Sequence, residues 1–303
     1  MLSIIVCSRN TKLPEEFVNS IQKTIGIDYE IICIDNSANK YSIFSAYNEG
    51  FTRSKYSYLC FVHEDVVFHT QDWGKIVIGH LQDSKTGILG LAGGDLAPVV
   101  PAMWWALHPS EKIIQTDLNG NKQTLKNCYP KDYDKPTRSV VLLDGVFLCM
   151  RRELFDKIKF DESLGGFHSY DYDIAIQSIL AGYYNYVIFD VAVEHFSMGN
   201  MNGTYYRNLI KVYKKWEKHL PLIEHNVSIE DQKNLIPGIE EKNLLRLVKK
   251  MTRAGFSTKE IVDLTTYYAH LINSKKCIQS LKTLQFRILF IRISSFIRNK
   301  NNY

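Results

Sequence analysis

Residues 2–10 read LSIIVCSRN, residues 29–37 read YEIICIDNS, and residues 58–65 read YLCFVHED. Each stretch is an apolar run, rich in β-branched and aromatic side chains, that ends in polar residues typical of turns. Helical patterns separate the runs, one beginning at Pro14 and one over 41–54. Strands that alternate with helices at this spacing predict a parallel sheet with crossover helices. The unbroken apolar runs are typical of strands that are covered on both faces.

The second half of the chain continues this alternation. Predicted strands over 140–143 and 146–150 are followed by a predicted helix over 171–181 and a strand over 186–192. The whole pattern predicts an α/β protein with a central, mostly parallel sheet flanked by helices.

The composition is that of an ordinary globular protein, with 45% apolar and 23% charged residues in a chain of 303. None of the six cysteines forms a CxxC pair, so a zinc knuckle is not expected, and buried reduced thiols are. No apolar run approaches the ~18–20 residues of a membrane-spanning helix, and no basic segment precedes the first strand. We therefore expect a cytoplasmic protein.

The balance of charge changes near Pro237-Gly238. Residues 238–303 carry 13 Lys or Arg against 4 Asp or Glu, whereas residues 1–237 carry 24 against 28. We therefore expect an α/β domain over 1–237 and a basic helical extension over 238–303, joined at this dipeptide. The extension would rest on an anionic membrane surface, on the first domain or on a second copy of the chain. Because the basic excess is confined to it and shows no known motif, no nucleic-acid partner is expected.

Three polar clusters follow the first three predicted strands: Ser8-Arg9-Asn10, Asp35-Asn36-Ser37 and His63-Glu64-Asp65. In open parallel sheets, ligands bind beyond the carboxyl ends of the strands, so the clusters predict one site at that edge. Ordinary polar turns are the alternative for each cluster taken alone. Carboxylates at two successive strand ends favour the site.

Glu64 and Asp65 are candidates for holding a divalent cation, because hard cations prefer carboxylate oxygens. His195 follows an apolar strand and is the second candidate ligand, and imidazole beside carboxylate favours Mn²⁺ over Ca²⁺. Asp171 and Asp173 open a predicted helix, whose dipole keeps a carboxylate ionised. Asp171 is therefore a candidate general base, and Asp173 would cap the helix, hold an acceptor or act in its place.

Trp104 and Trp105 follow a segment rich in Gly and Pro. Aromatic faces stack on the apolar faces of sugars, but paired Trp residues also anchor loops in a core. Both interpretations stay open.

In this order, these stretches resemble glycosyltransferases of the GT-A fold, in particular the family 2-like group of bacterial enzymes. LSIIVCSRN resembles the opening strand of that fold, YEIICIDNS its second strand, and AYNEGFTRSKYSYLCFVHEDV the helix that leads to the metal-binding acidic motif. The resemblance covers about residues 2–220. The donor site that it implies consists of Ser8, Arg9, Asn10, Asp35, Asn36, Glu64 and Asp65. In it, Asp35 would contact the nucleotide base, Glu64 would lie near the ribose or diphosphate, and Asp65 would bind the metal.

The later stretches resemble the acceptor side of the same enzymes. LLDGVFLCMRRELF brings in Asp144 and Gly145, and FDESLGGFHSYDYDIAIQSILAGY resembles the stretch that holds the catalytic base. VEHFSMG resembles the late segment whose histidine, here His195, completes the metal site. Two positions depart from the family pattern: the acidic motif reads HED instead of Asp-x-Asp, and Tyr170-Asp171 stands where Glu-Asp is usual.

The resemblance implies an inverting, single-displacement transfer of a hexose from a nucleoside diphosphate sugar, usually a UDP-sugar, assisted by Mn²⁺ or Mg²⁺. The acceptor would be a glycan or a lipid-linked molecule. The cytoplasmic enzyme would be either free or peripheral to the inner face of the membrane. One alternative is a catalytically idle GT-A-like module that binds a nucleotide or glycan. A nucleotidyltransferase fits less well, because LSIIVCSRN lacks the Gly-rich phosphate loop that such enzymes have near the first strand.

Overall fold

The structure is a computed structural model that describes residues 1–117, 119–128, 135–197 and 201–300. The strands are β1 (Leu2–Ser8), β2 (Tyr29–Asp35), β3 (Tyr58–Val62), β4 (Val66–Phe68), β5 (Thr86–Gly90), β6 (Ala92–Gly94), β7 (Leu96–Ala97), β8 (Ser110–Thr116), β9 (Lys122–Asn127), β10 (Thr137–Val140), β11 (Leu142–Leu143), β12 (Phe147–Arg151), β13 (Tyr184–Ile188), β14 (Val193–His195) and β15 (Leu222–Ile223). The helices are α1 (Glu15–Thr24), α2 (Ile43–Arg53), α3 (Trp73–His80), α4 (Arg152–Phe155), α5 (Tyr170–Leu180), α6 (Gly203–Trp216), α7 (Ile229–Arg253), α8 (Thr258–Leu271), α9 (Lys275–Ser280) and α10 (Leu284–Lys300).

Seven strands form the central sheet, in the order β10-β13-β5-β12-β3-β1-β2. Of these, β2, β1, β3, β5 and β13 run in one direction, whereas β12 and β10 run antiparallel to their neighbours. The expected mostly parallel sheet is therefore confirmed. The register of β1 and β2 places Ser8 opposite Asp35, so the polar clusters after these strands begin at one edge.

The core lies on both faces of this sheet, as the unbroken apolar strands indicate. On one face, Phe17 of α1 and Trp73 of α3 belong to the same buried cluster as alternate residues of β1. On the other face, the ring of Tyr47 in α2 packs against Phe61 and Tyr170, with ring centroids 5.1 and 5.5 Å away. This aromatic cluster fixes the first turn of α5 against the sheet.

A second sheet carries the short strands that lead into the candidate site, in the order β11-β6-β8-β14-β4, with β9 beside β8. β14 pairs antiparallel with β4, and the register places His195 opposite Val66. The N–H of Phe196 also donates to the carbonyl oxygen of Asp65 at 3.0 Å. This pairing brings Asp65 and His195 together although they are far apart in sequence.

Pro237 and Gly238, where the sequence predicts a joint, both lie inside α7. Proline cannot donate the helical hydrogen bond to the carbonyl of Lys233. Pro237 and Lys233 are both exposed, so water can satisfy this carbonyl and the helix continues. Beyond it, Leu244 and Val248 join the same buried cluster as side chains of the central sheet. The division into units over 1–237 and 238–303 stays a prediction.

The helices after α7 form the C-terminal helical part that the sequence predicts. α8 and α10 pack against α7, and α9 packs against α8. Ile261, Tyr268, Cys277 and Leu284 are buried among them. In the part of the chain that the structure describes, no helix is both long enough and apolar enough to cross a membrane.

Glu240 connects α7 to the segment that carries the two adjacent tryptophans. Its side chain is buried, and its carboxylate oxygens accept hydrogen bonds from the N–H groups of Val99 (2.6 Å) and Val100 (2.9 Å). These donors lie just before a short 3₁₀ turn over Trp104–Ala106. The carboxylate therefore holds the segment before this turn against α7.

We expect Glu240→Ala to lower the free energy of unfolding by about 2–4 kcal/mol, because two backbone donors lose their acceptor. The matched control is Glu241→Ala, which removes a less buried carboxylate bound to Ser274 and Lys276. Its effect should stay below about 1 kcal/mol, as for other surface pairs. Urea denaturation followed by circular dichroism measures both variants, and equal losses would contradict the structural role of Glu240.

Candidate metal centre and active site

Three side chains converge where β3 ends and β4 begins: His63, Asp65 and His195. Asp65 Oδ1 lies 3.8 Å from His63 Nδ1 and 3.5 Å from His195 Nε2. Ligand atoms bound at ~2.1 Å to a shared ion lie roughly 3–3.5 Å apart. The three side chains therefore need only small adjustments to bind one cation.

The hydrogen bonds of His63 leave its Nδ1 available for coordination. The Tyr170 hydroxyl donates its proton to the carbonyl oxygen of Gly145 (2.9 Å), so it accepts a hydrogen bond from His63 Nε2 (2.8 Å). In the neutral ring the proton then sits on Nε2, and the Nδ1 lone pair is on the side of Asp65. Burial lowers the pKa of His63, which favours this neutral form. His63 Nδ1 and the Asp65 carboxylate thus face each other as two acceptors with no proton between them, an arrangement that fits a shared cation.

His195 and Asp65 support the same conclusion. His195 Nε2 is buried and has no hydrogen-bond partner among the described residues. Such atoms are rare, and the 3.5 Å to Asp65 exceeds a normal hydrogen bond. Burial would raise the pKa of Asp65, but the neighbouring His195 and His63 lower it to about 2, so the carboxylate is ionised at neutral pH. The chemistry of this donor set therefore fits a divalent cation.

Gly145 allows Tyr170 to reach its position beside His63. A Cβ atom at Gly145 would lie 2.3 Å from the Tyr170 hydroxyl, so a larger residue would displace the tyrosine ring. Tyr170 is the first residue of α5, and Asp171 follows it. The contacts of Tyr170 with Gly145 and His63 therefore connect the candidate ligand His63 to the start of α5.

Asp171 lies half-buried in the first turn of α5, near the carboxylate of Asp144. Its Oδ1 accepts a hydrogen bond from the N–H of Tyr172 at 3.0 Å. Burial raises the pKa of Asp171 to about 8, and the negative charge of Asp144 adds to the shift. A carboxylate whose pKa lies near the working pH is suited to take a proton from a hydroxyl. This environment suits the predicted role of Asp171 as a base.

Trp104 and Trp105 have different environments. Trp104 is buried and donates its Nε1–H to Asp144 Oδ2 (3.2 Å), while the N–H of Val146 donates to Asp144 Oδ1 (3.1 Å). Trp104 therefore acts as a loop anchor, and its indole orients the carboxylate of Asp144. Trp105 is 40% exposed and packs edge-on against Trp104, so its ring is available for stacking on a sugar.

Asp173 does not face this site, and we correct its expected role at the acceptor. Its side chain is fully buried, and Oδ1 accepts hydrogen bonds from Lys215 Nζ (2.7 Å) and Trp216 Nε1 (2.8 Å). Oδ2 accepts one from Gln177 at 2.8 Å. Both oxygens are thus used within the protein, where they join α5 to α6. Among the two candidates for the base, this placement favours Asp171.

Glu64 supports the turn after β1. It is buried, accepts hydrogen bonds from the Ser8 hydroxyl and from the N–H of Arg9 (3.0 Å), and also contacts Arg9 Nε. The N–H of Asn10 donates to Ser8 Oγ at 3.1 Å. The exposed guanidinium of Arg9 extends to 3.9 Å from Asp65 Oδ2. Glu64 therefore positions Arg9 beside the candidate metal site.

Asp35 and Asn36 lie on the same edge with different environments. Asn36 is buried, and its amide pairs with the backbone N–H (2.8 Å) and carbonyl (3.0 Å) of Tyr41. The exposed carboxylate of Asp35 accepts a hydrogen bond from the N–H of Ser37 (2.9 Å), which lowers its pKa. Asp35 is thus open to a ligand, whereas Asn36 shapes the loop.

His63 is a candidate ligand that the sequence analysis did not single out. It occupies the first position of His63-Glu64-Asp65, where the family pattern has an aspartate. Alternate residues of an extended chain point to the same side, so His63 and Asp65 share one side while Glu64 points away. This alternation is the sequence signal that could have identified His63 as a ligand.

We expect Tyr170→Phe to weaken Mn²⁺ binding by about 10–100-fold, because the hydroxyl orients a ligating histidine from outside the ligand set. Calorimetric titration with Mn²⁺ measures the affinity. Tyr213→Phe is the matched control, since it removes another buried hydroxyl bound to a backbone carbonyl, that of Ala102 (3.0 Å). An unchanged affinity in Tyr170→Phe would contradict this orienting role.

Comparisons with solved structures show what this fold is similar to. A crystal structure of GalNAc-T7 with UDP, GalNAc and Mn²⁺ is 11% identical, with a TM-score of 0.50, and the match covers 97% of this chain and 57% of that chain. S. aureus TarS 1-349 is 14% identical, with a TM-score of 0.50, covering 94% of this chain and 90% of that chain. At these identities the likeness shows the fold, which is GT-A. No curated protein matches the sequence.

The sequence itself matches a family model over residues 3–205 of 303. The model describes the Glycosyltransferase like family, and the matched range includes the three candidate ligands and Asp171. The chain therefore belongs to the Glycosyltransferase like family.

Proposed function

We propose that this protein transfers a hexose from a UDP-sugar to a hydroxyl group of a glycan or lipid-linked acceptor, with inversion at the anomeric carbon. Family membership supports sugar transfer. GalNAc-T7, which shares the fold, was crystallised with UDP, GalNAc and Mn²⁺, and this supports the donor type. The observation that carries the proposal is the link from His63 through Tyr170 to Asp171. Through this link the candidate metal ligand His63 is connected to a carboxylate with a raised pKa, which supports a metal-assisted transfer with Asp171 as the base.

The proposed reaction is a single displacement. Asp171 removes the proton from the acceptor hydroxyl as its oxygen forms a bond to the anomeric carbon. The bond from that carbon to the diphosphate oxygen breaks, and UDP leaves with the electron pair. Burial raises the pKa of Asp171 to about 8, and the charge of Asp144, which Trp104 orients, adds to this shift. No covalent intermediate with the protein is needed.

His63, Asp65 and His195 would hold the divalent cation in this reaction. When bound, the cation stabilises the charge that develops on the leaving diphosphate. Two imidazole ligands beside one carboxylate favour Mn²⁺ over Mg²⁺. Arg9 adds a positive charge at the same edge, and Ser8, Asn10, Asp35 and Asn36 would complete the nucleotide site.

We expect Asp171→Asn to lower sugar transfer by about 10²–10⁴-fold, because the amide cannot accept the hydroxyl proton. A thermal-shift panel of nucleoside diphosphates and their sugars, with and without Mn²⁺, first identifies the donor. UDP binding should then be unchanged in the variant, since Asp171 lies outside the nucleotide residues. Normal transfer by Asp171→Asn would reject the assignment, and binding without transfer by the unaltered protein would indicate an idle binding module.

The pKa of Asp171 predicts a pH dependence. The base is active when ionised, so transfer should rise with pH, reach half of its maximum at about 8, the pKa of Asp171, and level off above that pH. Asp144→Asn removes the neighbouring charge, lowers this pKa and should move the rise to lower pH. Initial rates from pH 5.5 to 9 measure the shift, with exposed Asp156→Asn as the control. A pH–rate profile that is unchanged in Asp144→Asn would contradict an effect of the Asp144 charge on Asp171.

The C-terminal helices support a peripheral contact with an anionic membrane. Phe286, Leu289, Phe290 and Ile293 recur at helical spacing on α10 and are 50–76% exposed. Arg287, also exposed, adds positive charge to the same helix.

We expect Phe286→Glu/Phe290→Glu to reduce co-sedimentation with phosphatidylglycerol vesicles, because the exposed apolar face of α10 loses two of its side chains. Leu180→Glu, which changes an exposed apolar residue of α5, is the control. Equal sedimentation would reject the membrane contact. If Phe286→Glu/Phe290→Glu instead changes the oligomeric state in the absence of vesicles, the exposed apolar face of α10 is a contact between two copies.

A further inference from the structure

A pocket of about 520 Å³ lies between the Trp104–Ala106 turn, α6 and α7. We call it the α7 pocket. Met103, Trp105 and Leu209 form its apolar part, and polar side chains of α7 line the rest. Its volume is in the range of small-molecule sites. None of the three candidate metal ligands and neither Asp144 nor Asp171 lines it.

Five positive side chains of α7 line this pocket: Lys242, Arg246, Lys249, Lys250 and Arg253. All five are exposed, and none has an ion-pair partner among the described residues. Three of the pairs they form are four residues apart, a spacing at which like charges destabilise a helix. A bound anion would offset this repulsion between like charges, whereas a neutral glycan would not.

Asn243 is an independent sign of a missing ligand. It lines the α7 pocket, its side chain is 5% exposed, and its Nδ2 is buried without a hydrogen-bond partner. A buried donor with no acceptor is costly and rare. An anionic oxygen in the pocket would accept from this amide.

The α7 pocket is connected to the proposed active site through two contacts. Trp105 lines the pocket and packs on Trp104, with ring centroids 5.1 Å apart. Trp104 donates to Asp144, whose charge acts on Asp171. A molecule that stacks on Trp105 in the pocket is therefore linked to Asp144 through the indole of Trp104.

We propose that the α7 pocket binds a phosphate group carried by the acceptor, with Asn243 as a donor and Arg246 and Lys250 as counter-charges. This inference rests on the proposed transfer, and it names the chemical class of the acceptor. A phosphate offers several acceptor oxygens and up to two negative charges, which suits a cluster of five cations. The phosphate would come from a lipid headgroup or from a soluble phosphate-bearing glycan.

The test measures binding of inorganic phosphate by phosphorus-31 NMR titration, at constant ionic strength and without metal or nucleotide. Arg246→Gln/Lys250→Gln and, separately, Asn243→Leu should each weaken binding by about tenfold or more, because each removes charge-assisted hydrogen bonds. The matched control is Lys259→Gln/Lys275→Gln, which removes the same charge from exposed positions that do not line the pocket. Phosphate binding that is equal in all variants, or lost equally in the control, overturns the proposal.

Vesicle co-sedimentation distinguishes the two sources. If Arg246→Gln/Lys250→Gln loses both phosphate binding and co-sedimentation with phosphatidylglycerol vesicles, the headgroup is the source. If the variant loses phosphate binding alone, the source is a soluble glycan. Both results support the pocket. Release of UDP from the donor is measured separately on the unaltered protein. A protein that binds phosphate but releases no UDP rejects the transferase and leaves the pocket standing.

Discussion

The hydroxyl of Tyr170 is the contact on which the candidate site depends. It donates to the Gly145 carbonyl and accepts from His63, and so it joins three separate parts of the chain. These parts are the end of β3, the turn before β12 and the first turn of α5. Because the tyrosine ring is buried in the aromatic cluster around Tyr47, the hydroxyl cannot shift independently of the core. The candidate ligand His63 and the proposed base are therefore positioned by core packing.

Much of this arrangement could be predicted from local sequence. The apolar runs before residues 8, 35 and 63 predict strands, and a parallel arrangement places the polar residues after them at one edge. Asp65 could be identified because its carboxylate directly follows a buried strand. His195 could be proposed as a second ligand because it too follows an apolar strand, and the family resemblance implies that it completes the metal site with Asp65. The structure explains this pairing by the register of β4 and β14, which no local pattern encodes.

Other features depend on contacts between distant segments and could not be predicted. Asp173 has the sequence context of Asp171, but its carboxylate meets Lys215 and Trp216 of a later helix. Pro237 suggests a break, yet exposure of the carbonyl it leaves unpaired lets α7 continue. Trp104 differs from its neighbour Trp105 because it is buried in the core and its indole reaches Asp144. In each case tertiary packing overrides a sound local preference.

The continuity of α7 has a mechanical consequence. Glu240 clamps the segment before the tryptophan turn, and the basic face begins on the next turns of the same rigid rod. Inserting one residue between Glu240 and Asn243 would rotate the basic face by about 100° while the clamp stays in place. The number of residues between Glu240 and the basic side chains therefore sets the direction in which the basic face points.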